Sequence, residues 1–348
     1  MINKITLLFT CLLFLSIDII FAQSYPTYKK ERHETILHGD TLVDDYFWMR
    51  NRKKEIKKKL TKENEFFENA FNPTSLLVDS LYNEMLQLTN LDRKSLPVFK
   101  NGYWYLTTSP KDKDFPIYKR WKENETEADA KVFFDCNIFT QKFKAYITDI
   151  ESISPNGKYI AFSVDKDGSD IKDLYILEVK TQKILKDHIK KVSTVLWAND
   201  NATLFYTKDD NITNRTNELY KHQLGNKTDI LLFNEKDATY NLDIYKSKSQ
   251  DYIFLASISK SDNKISYINA NLANSKFKEL IPLSKNIEHN ITQAGEYFYD
   301  FNNTKGNRFA LYKTSIDSIN NWVEIYSPKE GEYIDDVIPF LINCLVLN

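Results

Sequence analysis

Three kinds of chemistry can be sought in the residue types and their spacing: a serine nucleophile, a cluster of histidines, and a pair of carboxylates. A serine nucleophile on a sharp strand-to-helix turn needs a glycine two residues to either side, because only glycine tolerates the crowding and the backbone angles there. The eight glycines are Gly39, Gly102, Gly157, Gly168, Gly225, Gly295, Gly306 and Gly331, and no two of them stand in that relation. The same positions exclude a phosphate-binding P-loop and a dinucleotide fingerprint. The five histidines are His33, His38, His188, His222 and His289, and none has metal-ligand spacing to another histidine or to a cysteine. All five are expected at the surface. The adjacent acids Asp44 and Asp45, Asp209 and Asp210, and Asp335 and Asp336 fall in turn-like stretches. They are expected to be solvated rather than to flank a scissile glycosidic bond. Residues 166–170 (KDGSD) lack the register and closing glutamate of a calcium loop and read as a hairpin tip. Cys136 and Cys344 read as buried free thiols in apolar strands. No catalytic, cofactor-binding or metal-binding residue is therefore assigned, and no cofactor is expected.

The elements that would have to position any site are mostly strands. Residues 154–185 (SPNGKYIAFSVDKDGSDIKDLYILEVKTQKIL) give a polar turn, an apolar strand, a charged hairpin loop, a second strand and a third, shorter apolar stretch. The plan recurs. First strands are expected around Tyr103, Tyr159, Leu204, Tyr252 and Tyr297, and second strands around Tyr118, Tyr175, Tyr220, Tyr267 and Tyr312. Those last five tyrosines recur at intervals of roughly 45–57 residues, close to the period of β-propeller blades. Third strands are expected at Val132, Ile184, Ile230, Leu280 and Val323, and a sixth unit is expected to open at Ile334. The fold class is thus mainly β: a propeller of five blades and a partial sixth, preceded by helices.

Those helices precede Leu91. Apolar positions Met49, Ile56, Leu60, Phe67 and Phe71 keep one helical face, Asn72 and Pro73 break it, and Val78, Leu81, Tyr82, Met85 and Leu86 mark a second helix. The basic run from Arg50 to Lys59 falls on the opposite face and is followed by Glu63, Glu65 and Glu68, so it reads as solvated. Over the whole chain, 47 basic residues meet 48 acidic ones, a net charge of -1 that argues against nucleic acid or an anionic membrane as partner. Hydrophobic residues make up 42% and aromatics 14%, enough for a sizeable core. Residues 1–22 read as a signal peptide with cleavage after Ala22, despite Asp18 within the apolar run, and imply a secreted or periplasmic product; the alternative is an uncleaved membrane anchor.

Particular words in this order resemble a known family. Residues 38–50 (HGDTLVDDYFWMR) resemble the N-terminal signature of the prolyl oligopeptidase family of serine peptidases, most closely its oligopeptidase B, or protease II, branch. Residues 60–66 (LTKENEF), 196–200 (LWAND), 234–240 (NEKDATY) and 307–313 (NRFALYK) are similar to further family words. The resemblance implies a seven-bladed propeller that gates an α/β-hydrolase domain carrying a Ser-Asp-His triad, acting on short peptides and, in the oligopeptidase B branch, after Arg or Lys. It implies that residues 23–91 pack on that hydrolase domain, that residues 92–348 form an incomplete propeller, and that the hydrolase domain is missing from this sequence. The expected function is the substrate-gating part of a secreted serine oligopeptidase, inactive alone. The alternatives are a stand-alone propeller module that binds peptide or protein, and a propeller glycosidase. The last is disfavoured because the expected first strands are aromatic and aliphatic rather than acidic.

Overall fold

The computed structural model describes residues 25–348 except 211, 212, 307, 333, 335, 340–343 and 348. The expected signal peptide, Asn307 and Asp335 lie outside the described residues, as does the side chain of Cys344. The chain divides into two compact units, one ending at Asn90 and the other beginning at Leu91.

In the first unit, strands β1 (His33–Leu37) and β2 (Asp40–Asp44) form an antiparallel hairpin. Its two-residue turn, His38 and Gly39, has φ of 55° and 88°. Such a turn matches the twist of the strands it joins, and it usually announces itself by Asn-Gly or Asp-Gly. A histidine stands in the first position instead, so the turn carries no such sequence signal. Helix α1 (Lys53–Phe71) runs into a one-turn helix at Asn72–Thr74 that holds Pro73, and α2 (Ser75–Leu88) follows at once. Met49 belongs to a separate short turn, Phe47–Arg50, whose Trp48 is buried and donates its indole N–H to the Lys29 carbonyl at 3.1 Å. Neither α1 nor α2 buries a side chain.

The second unit is a succession of antiparallel sheets. The first contains β3 (Arg93–Lys94), β4 (Val98–Lys100), β5 (Tyr103–Ser109), β6 (Ile117–Lys122) and β7 (Lys131–Asp135), with β3 and β4 both on β5, and is followed by helix α3 (Cys136–Phe143). The second is β8 (Ile147–Ile153), β9 (Tyr159–Asp165), β10 (Lys172–Glu178) and β11 (Lys183–Val192). The third is β12 (Val195–Trp197), β13 (Thr203–Asp209), β14 (Thr216–Gln223) and β15 (Ile230–Asn234). The fourth is β16 (Asn241–Lys246), β17 (Tyr252–Ile258), β18 (Asn263–Asn269) and β19 (Lys278–Ile281). The fifth is β20 (His289–Ala294), β21 (Tyr297–Asn302), β22 (Ala310–Ser315) and β23 (Val323–Tyr326), and β24 (Asp336–Pro339) pairs with β25 (Cys344–Leu347).

All five tyrosines of the repeat lie on β6, β10, β14, β18 and β22, as their spacing predicts. The strands expected to be first in each unit are in fact second. An additional strand, β4, β8, β12, β16 or β20, precedes each of them across a short turn. Cys136 is buried as expected, but it opens α3 rather than ending a strand.

The cores lie between consecutive sheets. Phe133, Phe134 and Phe139 pack with Ile160, Phe162 and Leu177; Leu174 and Ile176 pack with Val195, Trp197 and Leu204. Phe205 and Leu219 meet Leu242, Ile244 and Ile253, while Phe254 and Ile265 meet Ile291 and Phe298. Phe162 is fully buried, with ring centroids of Phe134 and Phe139 at 5.3 and 5.1 Å. Truncating it empties a space that the sheets cannot close. Phe162→Ala is expected to lower the unfolding free energy in urea by about 3–5 kcal/mol, against roughly 0.5 kcal/mol or less for Val323→Ala on an outer strand.

Candidate functional site

The first strands of neighbouring sheets adjoin one another: β8 lies beside β12, β12 beside β16, and β20 beside β24. They form the inner edge of the array, and their composition differs from that of the strands behind them. β8 (ITDIESI) carries Asp149 and Glu151; β16 (NLDIYK) carries Asp243 and Lys246; β4 ends on Lys100. The expectation that inner strands lack carboxylates is therefore corrected, because it was drawn from the second strands. The carboxylates are nonetheless engaged. Asp149 accepts from the Tyr118 hydroxyl at 2.5 Å and from the Ile150 amide at 2.7 Å. Asp243 accepts from the Thr194 hydroxyl at 3.2 Å and the Ile244 amide at 2.8 Å. Burial and the Asp149 charge together push the Tyr118 phenol well above its ordinary range, so it stays a donor.

Between the first and second sheets the inner edge opens into a cleft of about 540 Å³, lined among others by Val98, Lys100, Tyr105, Phe133, Glu151 and Leu196. Arg120 braces its wall. Its guanidinium donates to the Gly157 carbonyl at 2.7 Å and lies over the Tyr103 and Phe133 rings at 4.5 and 5.2 Å. Gly157 has φ of +66°, a conformation that favours glycine, and a Cβ there would stand 2.9 Å from the Arg120 nitrogen and push the guanidinium aside. The Tyr105 phenol is raised by burial, an effect that Arg120 opposes. Cleft and strands thus offer apolar walls, fixed acceptors and two lysines: a surface for binding.

The reactive residue types lie elsewhere. Burial first, and then the charges of Asp149 and Asp135, push the Cys136 thiol up to about 12, which keeps it protonated and inert. His33 stacks on Phe47 with centroids 3.7 Å apart, His38 is an exposed turn residue, and His188 meets Asp173 at 3.1 Å. His222 and His289 are buried, which corrects the expectation of five surface histidines. The His222 Nε2 meets Asp187 at 2.9 Å and its Nδ1 meets Asp229 at 2.7 Å. His289 Nδ1 donates to Asp300 at 2.7 Å. Asp187 and His222 are 35 residues apart on different sheets, so nothing in the local sequence pairs them.

Of the paired acids, Asp44 caps the Tyr46 amide at 2.8 Å and Asp209 accepts from Thr216 at 2.5 Å, both structural duties. Residues 166–170 are the tip between β9 and β10. Burial alone would raise the Asp165 carboxyl there, but the amides of Asp167, Asp170 and Gly168 outweigh it and hold it low. Among the described residues, no serine, threonine or cysteine side chain bonds a histidine, and no three His, Cys, Asp or Glu side chains converge as metal ligands.

Comparison with known proteins agrees with this geometry. The family profile described as "Prolyl oligopeptidase, N-terminal beta-propeller domain" matches residues 25–348. Protease 2 of Moraxella lacunata is 25% identical over 331 residues, covering 92% of this chain and 48% of that protein. Dipeptidyl aminopeptidase BI of Pseudoxanthomonas mexicana is 22% identical, over 86% of this chain and 44% of its own length. The structure of oligopeptidase B from Leishmania major superimposes with a TM-score of 0.81 at 20% identity, over 90% of this chain and 48% of that one. The chain spans about half the length of the curated relatives it matches. By its sheets and by a profile match over nearly all the described residues, this chain belongs to the prolyl oligopeptidase family, as that family's N-terminal β-propeller domain.

Proposed function

We propose that this chain is the substrate-gating propeller of a secreted serine oligopeptidase that cleaves short peptides after Arg or Lys, the chemistry being supplied by an α/β-hydrolase domain. On this reading the five sheets are five blades of seven and β24 with β25 is part of a sixth. The single observation that carries it is the pairing of a binding surface with no nucleophile–histidine couple among the described residues of a chain half as long as its peptidase relatives. The apolar side of α2 supports it. Leu77, Leu81 and Met85, one turn apart, are 59%, 49% and 67% exposed among the described residues. A face of that kind suits an interface, and the hydrolase domain is the occupant we assign to it.

Three measurements test the reading. The purified 348-residue chain is expected to release nothing from a short arginyl amide; turnover that a serine reagent abolishes would overturn the assignment of chemistry to another domain. In a host that exports it, N-terminal sequencing is expected to begin at Gln23, whereas a product that keeps Met1 in the membrane fraction would mean an anchor instead. Changing Leu77, Leu81 and Met85 together to Gln should shift the isolated chain's unfolding free energy by no more than about 0.5 kcal/mol, while a loss of roughly 2–5 kcal/mol would show that the face is already covered.

A further inference from the structure

The last strand of each sheet, β7, β11, β15, β19 or β23, stands at the outer edge of its sheet. An edge strand presents backbone N–H and C=O groups with which another strand can pair, and charged side chains are one means by which such pairing is prevented. Four of these strands carry charge. β7 (KVFFD) begins and ends on a charged residue, and its Phe133 carbonyl accepts from the Gln182 side chain at 3.2 Å. β11 (KILKDHIKKV) is rich in lysine, β19 (KELI) opens on Lys278 and Glu279, and β23 (VEIY) carries Glu324. β15 (ILLFN) has no charged residue, and its Ile230, Leu231 and Leu232 are 55%, 47% and 38% exposed. A register shift interrupts the pairing of every outer strand with its neighbour, so bulging does not set β15 apart. The missing charge does.

We propose that β15 is a contact between two copies of this chain, which pair antiparallel through their outer edges across a two-fold axis at Leu232. Such a contact sets a strand against itself. For β11 it would bring lysine toward lysine, whereas β15 can face its own copy with apolar side chains alone. The acids that flank β15 are turned to other duties. Asp229 meets His222 at 2.7 Å and accepts from the Tyr206 hydroxyl at 2.5 Å. Glu235 is buried, accepting from the Ser257 hydroxyl at 2.5 Å and meeting Lys264 at 3.0 Å. Beyond them Lys227 and Asp237, both exposed, lie equally far along the chain from Leu232, so the lysine of each copy falls toward the aspartate of the other. Ile230, Leu231 and Leu232 of one copy then cover their counterparts in the second. Nothing in the proposal depends on the reading of the inner edge.

The test is sedimentation velocity of the 348-residue chain over a concentration series. Reversible dimerisation is expected with a Kd on the order of 10–100 µM, the weak range of a small interface. Leu231→Lys should raise that Kd by roughly tenfold or more, because it sets a charge against its own copy near the axis. An unchanged Tm would show that the variant still folds. Changing Leu77, Leu81 and Met85 on α2 together to Gln should leave the dimer as it is. Hydrogen exchange gives a second readout: the amides of residues 230–234 should gain protection as the wild-type concentration rises, and should not in Leu231→Lys. A chain that stays monomeric up to about 1 mM would overturn the proposal. So would a dimer that Leu231→Lys leaves intact, or one that the α2 variant abolishes. Protection of residues 230–234 that follows added pentaalanine rather than chain concentration would overturn the second copy as the occupant of this edge.

Discussion

Each sheet of the second unit from the second to the fifth packs against the sheets before and after it, and the rest of the structure follows from that constraint. A sheet with one wet face shows apolar and polar residues in alternation; one buried on both faces reads as a continuous apolar run. β9, β13 and β17 are of the second kind, with five or six consecutive buried residues each. β5, whose sheet packs its core against one following sheet, buries only Leu106 fully. Stability is accordingly divided among successive interfaces, each built from residues of two sheets.

The same constraint explains what could be read in the sequence. The doubly buried strands and the tyrosines of β6, β10, β14, β18 and β22 repeat because every sheet meets the same environment, so the propeller was legible without any contact information. The inner strands were not. β4 and β12 are three residues long, and β8 and β16 interleave charges with isoleucines, which reads as loop when the turn after them carries Pro-Asn-Gly or Ser-Gln-Asp. The candidate site is made of those strands, and so it was the part of the molecule least visible beforehand. His222 was missed for a related reason: its partners Asp187 and Asp229 come from another sheet and from the next turn, and burial of that kind has no local signature.

Apolar packing alone leaves neighbouring sheets free to slide, and directional bonds between them restrict that freedom. The Trp197 indole donates to the Ser152 carbonyl at 3.4 Å, the Asn156 amide donates to Asn201 at 2.7 Å, and Lys264 meets the buried Glu235 at 3.0 Å. Arg120 on Gly157 and Asp187 on His222 act in the same way between the first and second and the second and third sheets. Breaking one partner of a buried pair strands the other, so such contacts fix one relative placement more than they add to overall stability. An inner edge assembled from many sheets needs that precision, because its groups come from strands far apart in the chain.

Polar groups in this propeller are held in two distinct conditions. Asp149, Asp243, Asp187 and Asp229 each meet partners in their own surroundings. Cys136 is shielded, and its thiol is kept protonated by burial and by nearby acids. Lys246 is held differently, since its ammonium donates to the neutral Asn199 amide oxygen and the effect of Asp251 does not offset desolvation.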